Sequence, residues 1–263
     1  MTEETPGALY EVRGHIALIT LNRPDAMNSV NRALSTALGE GLERAEDDPE
    51  VRVVVLTATG RAFCAGMDLK AFAKGEDVSA EGHPEWGFAG MVRHPINKPV
   101  IAAVNGFAMG GGTELVLASD LAVAAESAKF GLPEVKRGLV AAAGGVLRLP
   151  RQIPVRKAME LALTGRAVNA TEAAELGLVN RVVPDAALLD AAFELAEEIA
   201  ANAPLAVQAT KQMIHEQARF GSDLDDEIWQ HHDQVLLPVF RTKDAMEGAV
   251  AFAEKRAPAW RGE

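Results

Sequence analysis

The stretch Pro99-Val100-Ile101-Ala102-Ala103-Val104-Asn105-Gly106-Phe107-Ala108-Met109-Gly110-Gly111-Gly112-Thr113-Glu114-Leu115-Val116-Leu117 runs from an apolar β-rich segment through a turn into three glycines and then a helical run. Pro99–Val104 reads as a buried strand, Asn105-Gly106 as the turn, and Thr113 onward as a helix with apolar neighbours. Glycines at a helix entry let a ligand approach the backbone, and the free N–H groups of the first turn attract negative charge. Triple glycine also serves simply as a permissive turn, so alone it marks no site.

The pattern repeats outward from this stretch. His15–Thr20 and Arg52–Thr57 read as strands, and Leu121–Ala125 as another. Between the first two, Val30, Leu34, Leu38 and Leu42 recur every fourth residue, one apolar stripe on a helix ending near Glu46-Asp47-Asp48-Pro49. Strand, helix, strand with crossovers of this length implies parallel β–α units and an α/β fold. From about Val155 the chain turns mostly helical, through 158–163, 171–176, 186–201 and 205–217, to a last amphipathic helix at 243–255 striped by Met246, Val250 and Ala253. The longest irregular stretch is 72–98, and a loop of that length usually has a functional task. Residues 1–200 form the expected β–α core and 201–263 a helical C-terminal region suited to assembly.

Composition bounds the function. The chain has 263 residues, 48% of them hydrophobic, and a formal net charge of −11, which repels phosphate backbones and argues against nucleic acid as partner. One cysteine, Cys64, excludes an intramolecular disulfide and a four-cysteine zinc knot, and with no activating partner nearby it reads as a small hydrophobe. No run approaches the ~20 apolar residues of a membrane span. The acidic start Met1-Thr2-Glu3-Glu4-Thr5-Pro6 is unlike a targeting segment, so a cytoplasmic protein with no membrane partner is expected. His231-His232 reads as a solvated helix face, His94 is a candidate pocket residue, and Gly138 and Gly144-Gly145 lack the Lys-Ser/Thr of a phosphate loop.

A second glycine turn, Phe63-Cys64-Ala65-Gly66-Met67-Asp68, follows the Arg52–Thr57 strand. Facing the first turn, it would offer two backbone N–H donors to one oxygen, an oxyanion hole. Glu114 lies one turn into the glycine-led helix, and Glu134 follows Phe130-Gly131-Leu132-Pro133 twenty residues on. Paired carboxylates beside such a hole suit acid–base work next to a polarised carbonyl, although an arbitrary glutamate is more often solvated.

Together these pieces resemble the crotonase superfamily, the enoyl-CoA hydratase/isomerase family, over nearly the whole chain. The resemblance rests on Asn22-Arg23-Pro24-Asp25-Ala26-Met27-Asn28, Gly60–Leu69, Asn105–Leu115 and the tail Glu247–Arg256, in order and at compatible spacing. It implies a spiral of ββα units with a helical C-terminal trimerisation region, assembled as a homotrimer or dimer of trimers. It further implies an acyl-CoA thioester substrate of fatty-acid β-oxidation type, with no metal and no cofactor apart from the coenzyme A carried by that substrate. By the same resemblance Met67 and Gly111 supply the oxyanion N–H groups. Ala26, Ala65, Asp68 and Leu69 line the CoA path, joined by Phe252 and Lys255 of a neighbouring subunit. Glu114 activates water and Glu134 exchanges the α-proton, in reversible syn hydration of a trans-2-enoyl-CoA. Trp86, Phe88, His94, Val140 and Ala142 are expected at the acyl end.

Where short-chain hydratases carry a Pro-Gly pair, this chain has Ala141-Ala142, and Gly145-Val146-Leu147-Arg148-Leu149-Pro150 is similar to the carnitinyl-CoA dehydratase branch. A carnitinyl-type dehydratase, an enoyl-CoA isomerase and a non-catalytic acyl-CoA binder are the alternatives. Ala142 argues against dehalogenation, which needs a carboxylate nearby.

Overall fold

The computed structural model describes residues 6–263; the first five residues of the acidic N-terminal stretch lie outside them. Its strands are β1 (Ala8–Arg13), β2 (Ile16–Leu21), β3 (Val53–Ala58), β4 (Ala62–Cys64), β5 (Val100–Val104), β6 (Phe107–Met109), β7 (Leu121–Ala125), β8 (Lys129–Gly131), β9 (Ala167–Asn169) and β10 (Arg181–Val183). Helices are α1 (Arg32–Asp47), α2 (Leu69–Ala73), α3 (Gly111–Ala118), α4 (Gly145–Gln152), α5 (Val155–Thr164), α6 (Ala170–Leu176), α7 (Leu188–Ala200), α8 (Pro204–Glu216), α9 (Asp226–Leu236) and α10 (Lys243–Glu254). The anticipated strands are β2, β3, β5 and β7, shifted by at most a residue.

Two sheets organise the chain. The larger runs β1-β2-β3-β5-β7-β10, parallel from β2 onward with β1 added antiparallel; the smaller runs β4-β6-β8-β9. Each long strand of the first sheet hands the chain to a short strand of the second: β3 to β4, β5 to β6, β7 to β8. Helices α2 and α3 follow directly and α4 after a longer connection, so the spiral of ββα units expected from the resemblance is the observed architecture.

The central strands β3 and β5 are buried at every position, as strands covered on both faces must be. Ala17, Ile19, Val54, Leu56 and Ala102 share one core with Leu34, Leu38 and Leu42 of α1. On the other face Leu18, Val53, Val55, Ile101 and Val123 meet Ala192, Ala196 and Ala200 of α7, small side chains that let the helix lie close. Asn31 caps α1, its Oδ1 accepting from Leu34 N–H at 3.0 Å. The helix starts two residues later than its apolar stripe suggests, because Val30 is used in a parallel bridge to Met67.

Helices α8 to α10 and the turn between the last two leave large apolar side chains open: Ile214, Trp229, Phe240, Met246 and Phe252 are all exposed. The Met246-Val250-Ala253 stripe of α10 is solvent-facing in the single chain; Ala251 is the apolar residue that helix buries. No helix among the described residues is long and apolar enough to cross a membrane.

Candidate active site

Adjacent pairing of β4 with β6 (Ala62↔Phe107, Cys64↔Ala108) brings out the chain side by side after both strands. That places the two glycine turns against one another. A Cβ on Gly66 would lie 2.9 Å from Met109 O and 3.1 Å from Gly111 N, and one on Gly112 only 2.0 Å from Cys64 O. Gly66 also has φ +89°, a conformation glycine adopts without strain. Val30 pairs through Gly66 O and Asp68 N–H, so the intervening Met67 N–H is aimed away from Val30. Gly111 opens α3, where an N–H has no intrahelical partner. Neither amide finds an acceptor among the described residues.

The Pro24–Asn28 turn braces this arrangement. Buried Asn28 accepts from Arg23 N–H and donates to Thr59 O and Ala62 O, while Ala65 N–H donates to Met27 O at 3.0 Å. Ala26, Ala65, Asp68 and Leu69 therefore belong to two segments laid against each other. The Asp68 carboxylate is already committed: it caps α2 through Lys70 and Ala71 N–H and pairs with Arg23 at 3.1 Å. Partial burial works against its charge, but those N–H groups and the guanidinium win and hold it below the usual carboxylate range. Phe252 projects into solvent at the end of α10, and Lys255 takes a left-handed conformation just beyond; no hydrogen bond joins either to the turns among the described residues.

Both glutamates converge on the first glycine turn. Glu114, in the first turn of α3, is 3% exposed, and its Oε1 accepts Gly145 N–H at 2.8 Å. Burial is the main cause that pushes its carboxyl up to about 7, with the Glu134 charge adding and the Gly145 and Ala143 amides and Arg148 opposing. Glu134 sits in a 3-10 turn started by Pro133, and its Oε1 lies 2.9 Å from where a Gly110 Cβ would be. Burial raises its carboxyl too, and its Oε2 is buried with no hydrogen-bond partner among the described residues. A buried acceptor left unpaired is costly unless a ligand completes it. Thr113, which the sequence reading did not single out, ties the floor together: its Oγ1 accepts Gly131 N–H and donates to Ala108 O.

The 72–98 stretch divides. Phe88 comes to the site, its ring 2.4 Å from where a Gly111 Cβ would stand. Trp86 and His94 do not join it, against expectation. Trp86 is stacked between His83 and His94 (centroids 3.9 and 4.2 Å) and pressed on Gly39 of α1. The His94 ring is fully buried, with Nε2 2.6 Å from Glu43 Oε1 and Nδ1 3.0 Å from Gly90 O. These two rings hold the loop to α1 rather than lining a cleft. Val140 and Ala142 are exposed on the turn leading to Gly145. Cys64 is buried, its thiol pushed up to about 12 by desolvation, an inert hydrophobe as read.

Two unpaired amides and two carboxyls of raised pKa around Gly110–Gly111 can together polarise a carbonyl and move protons beside it. Known proteins agree in fold and in sequence. The chain is 50% identical to an enoyl-CoA hydratase structure from Mycobacterium tuberculosis H37Rv, with TM-score 0.93 over 98% of this chain and 100% of that one. It is 52% identical to a carnitinyl-CoA hydratase structure from Mycobacterium avium, with TM-score 0.78 over 98% and 100% of the two chains. It is 44% identical over 253 residues to the carnitinyl-CoA dehydratase of Proteus mirabilis (strain HI4320), covering 95% of this chain and 96% of that protein. The sequence pattern of the enoyl-CoA hydratase/isomerase family matches residues 11–263, and with the ββα spiral already described this makes the chain a member of that family.

Proposed function

We propose that this protein is a hydro-lyase that reversibly adds water across the double bond of a trans-2-enoyl-CoA. The observation that carries the reading is the meeting of buried Glu114 with half-buried Glu134 at the glycine turn, where Glu134 Oε2 and the Gly111 amide have no partner among the described residues. In this reading the thioester oxygen accepts the Met67 and Gly111 N–H groups. They stabilise the enolate as charge develops, each donor being worth about 3–4 kcal/mol. Glu114 takes a proton from the attacking water while Glu134 gives one to the α-carbon. The pair thus passes between two singly protonated states, and dehydration is the same path reversed. Backbone and apolar groups of Ala26, Ala65, Asp68 and Leu69 receive the CoA, since the Asp68 carboxylate is engaged elsewhere. Phe88, Val140 and Ala142 shape the acyl end. The open apolar faces of α8 to α10 support a homotrimer or dimer of trimers, in which Phe252 and Lys255 reach a neighbour's CoA.

A carnitinyl-type dehydratase is the second reading, favoured by Ala141-Ala142 beside the Glu114 anchor and by the names of the relatives. Loss of the conjugated-thioester ultraviolet band tests the reading with crotonyl-CoA and its trimethylammonium analogue crotonobetainyl-CoA. Hydration of either supports the hydro-lyase, and the preferred one assigns the acyl group. Turnover of 3-enoyl-CoA with no hydration would replace it with isomerisation, and binding without turnover would leave an acyl-CoA binder.

A further inference from the structure

Arg148 lies in α4, and the proposed mechanism gives it no task. Its half-buried guanidinium spans two segments: Nη1 donates to Ala143 O at 3.3 Å and Nη2 to Val92 O at 2.5 Å. Ala143 lies in the turn that leads into Gly145, whose N–H anchors Glu114. Val92 closes the short Gly87–Val92 segment that lays Phe88 over Gly111, with Ala89 at φ +58° and Gly90 at φ +67°. The guanidinium also lies across Gly144, where a Cβ would come within 2.1 Å of Nη1 and where φ +105° already favours glycine. Ala89 in a left-handed conformation is strained and persists only where its surroundings hold it.

We propose that Arg148 is a positioning residue of this site. One guanidinium holds the Gly145-bearing turn on Glu114 and the Phe88-bearing segment over Gly111. For its kinetic consequences this inference rests on the hydro-lyase reading. A planar fork sets two N–H groups apart on a rigid frame, one for each carbonyl, whereas a lysine ammonium delivers its donors from a single point on a shorter stem. The positive charge also favours ionised Glu114, working against the burial that raises that carboxyl. The charges facing the guanidinium are Glu114 from α3, Arg93 just beyond the Phe88 segment and Arg151 from its own helix, while Glu134 faces Glu114 from the turn after β8. His94 is held apart by its bond to Glu43.

Arg148→Met and Arg148→Lys test this, with kcat and KM followed across pH. In parallel, the Glu114 carboxyl band is titrated by infrared difference against each background carrying Glu114→Gln. Arg148→Met should lower kcat about 10–100-fold, the scale of a reacting group displaced by an ångström. KM should change less than about threefold, because binding and alignment separate in this way. The acidic limb of the pH–rate profile and the Glu114 band should both move about half to one unit higher. Arg148→Lys should restore the pH position but only part of kcat. Parental kcat in Arg148→Met overturns the proposal. So does a loss of activity and thermal stability with an unmoved Glu114 band, which would make the residue merely structural. Failure of the parent protein to hydrate any thioester removes the hydro-lyase reading instead, and the infrared titration then decides Arg148 by itself.

Discussion

Glu114 is enclosed in the first turn of α3, one oxygen fixed on Gly145 N–H, whereas Glu134 sits in a 3-10 turn with one oxygen unpartnered among the described residues. Burial raises both carboxyls, but the two settings divide the cost differently. The anchored group has its orientation built into the fold, so its unfavourable charge weighs on folded-state stability. The other has an oxygen with no hydrogen-bond partner among the described residues, a cost that a bound molecule donating to it relieves. One chemical group, placed on two kinds of local structure, becomes in the proposed hydration a fixed partner for water and an adaptable partner for substrate.

Replacing each acid in turn is the strongest way to break that contrast. Glu114→Gln and Glu134→Gln should each lower kcat for thioester hydration about 10²–10⁴-fold, the usual range for a general acid or base. Wild-type turnover in either variant would reduce that residue to scaffold. Hydration lost in Glu114→Gln alone would leave Glu134 capable of a double-bond shift.

The next largest effect comes from moving each carboxyl without removing it. A Cβ on Gly145 meets Glu114 Oε1 at 3.0 Å and Ala141 Cβ at 2.9 Å, while one on Gly110 meets Glu134 Oε1 at 2.9 Å. Gly145→Ala and Gly110→Ala should each cost about 10–100-fold in kcat, as misplaced catalytic groups do. Gly110→Ala should also lower stability by about 1 kcal/mol or more, since φ +56° is strained for alanine and comfortable for glycine. Equal stability losses with no change in kcat would place both carboxyls away from the reacting atoms.

The long elements were legible because their signals are local. β2, β3, β5 and β7 are apolar runs, and α1 repeats its leucines every fourth residue. The second sheet was not legible, because three-residue strands such as Ala62–Cys64 carry too few positions to show a period. The glycine turns could be named because backbone close approach demands glycine at fixed spacing, and the two glutamates by their position after those turns and by the family resemblance. Trp86 and His94 were misplaced for the opposite reason: their partners Gly39 and Glu43 lie about fifty residues earlier, and an aromatic ring looks the same in a cleft or on a helix. Arg148 left one faint signal, a lone cation between Leu147 and Leu149 just after two glycines. Nothing in the chain of residues says that its guanidinium bridges to Val92.

The smallest effect distinguishes the two acids by stability rather than rate. Glu114 has a folded value of about 7 against an ordinary 4.5, so between those values the folded protein keeps a proton that the unfolded chain releases. Stability therefore falls as pH rises from about 4.5 to about 7 and stays reduced above it. Glu114→Gln removes that penalty. It should stabilise the protein by about 1–2 kcal/mol at about pH 8 and give no comparable gain at about pH 4, where both states are protonated. In thermal melts at fixed protein concentration the difference corresponds to about 2–6 °C in Tm. Glu134→Gln, at a half-buried position, should show the same sign and a smaller gain. Equal gains at both pH values would mean that Glu114 is not held neutral by its surroundings, and that the two carboxylates differ only in which backbone carries them.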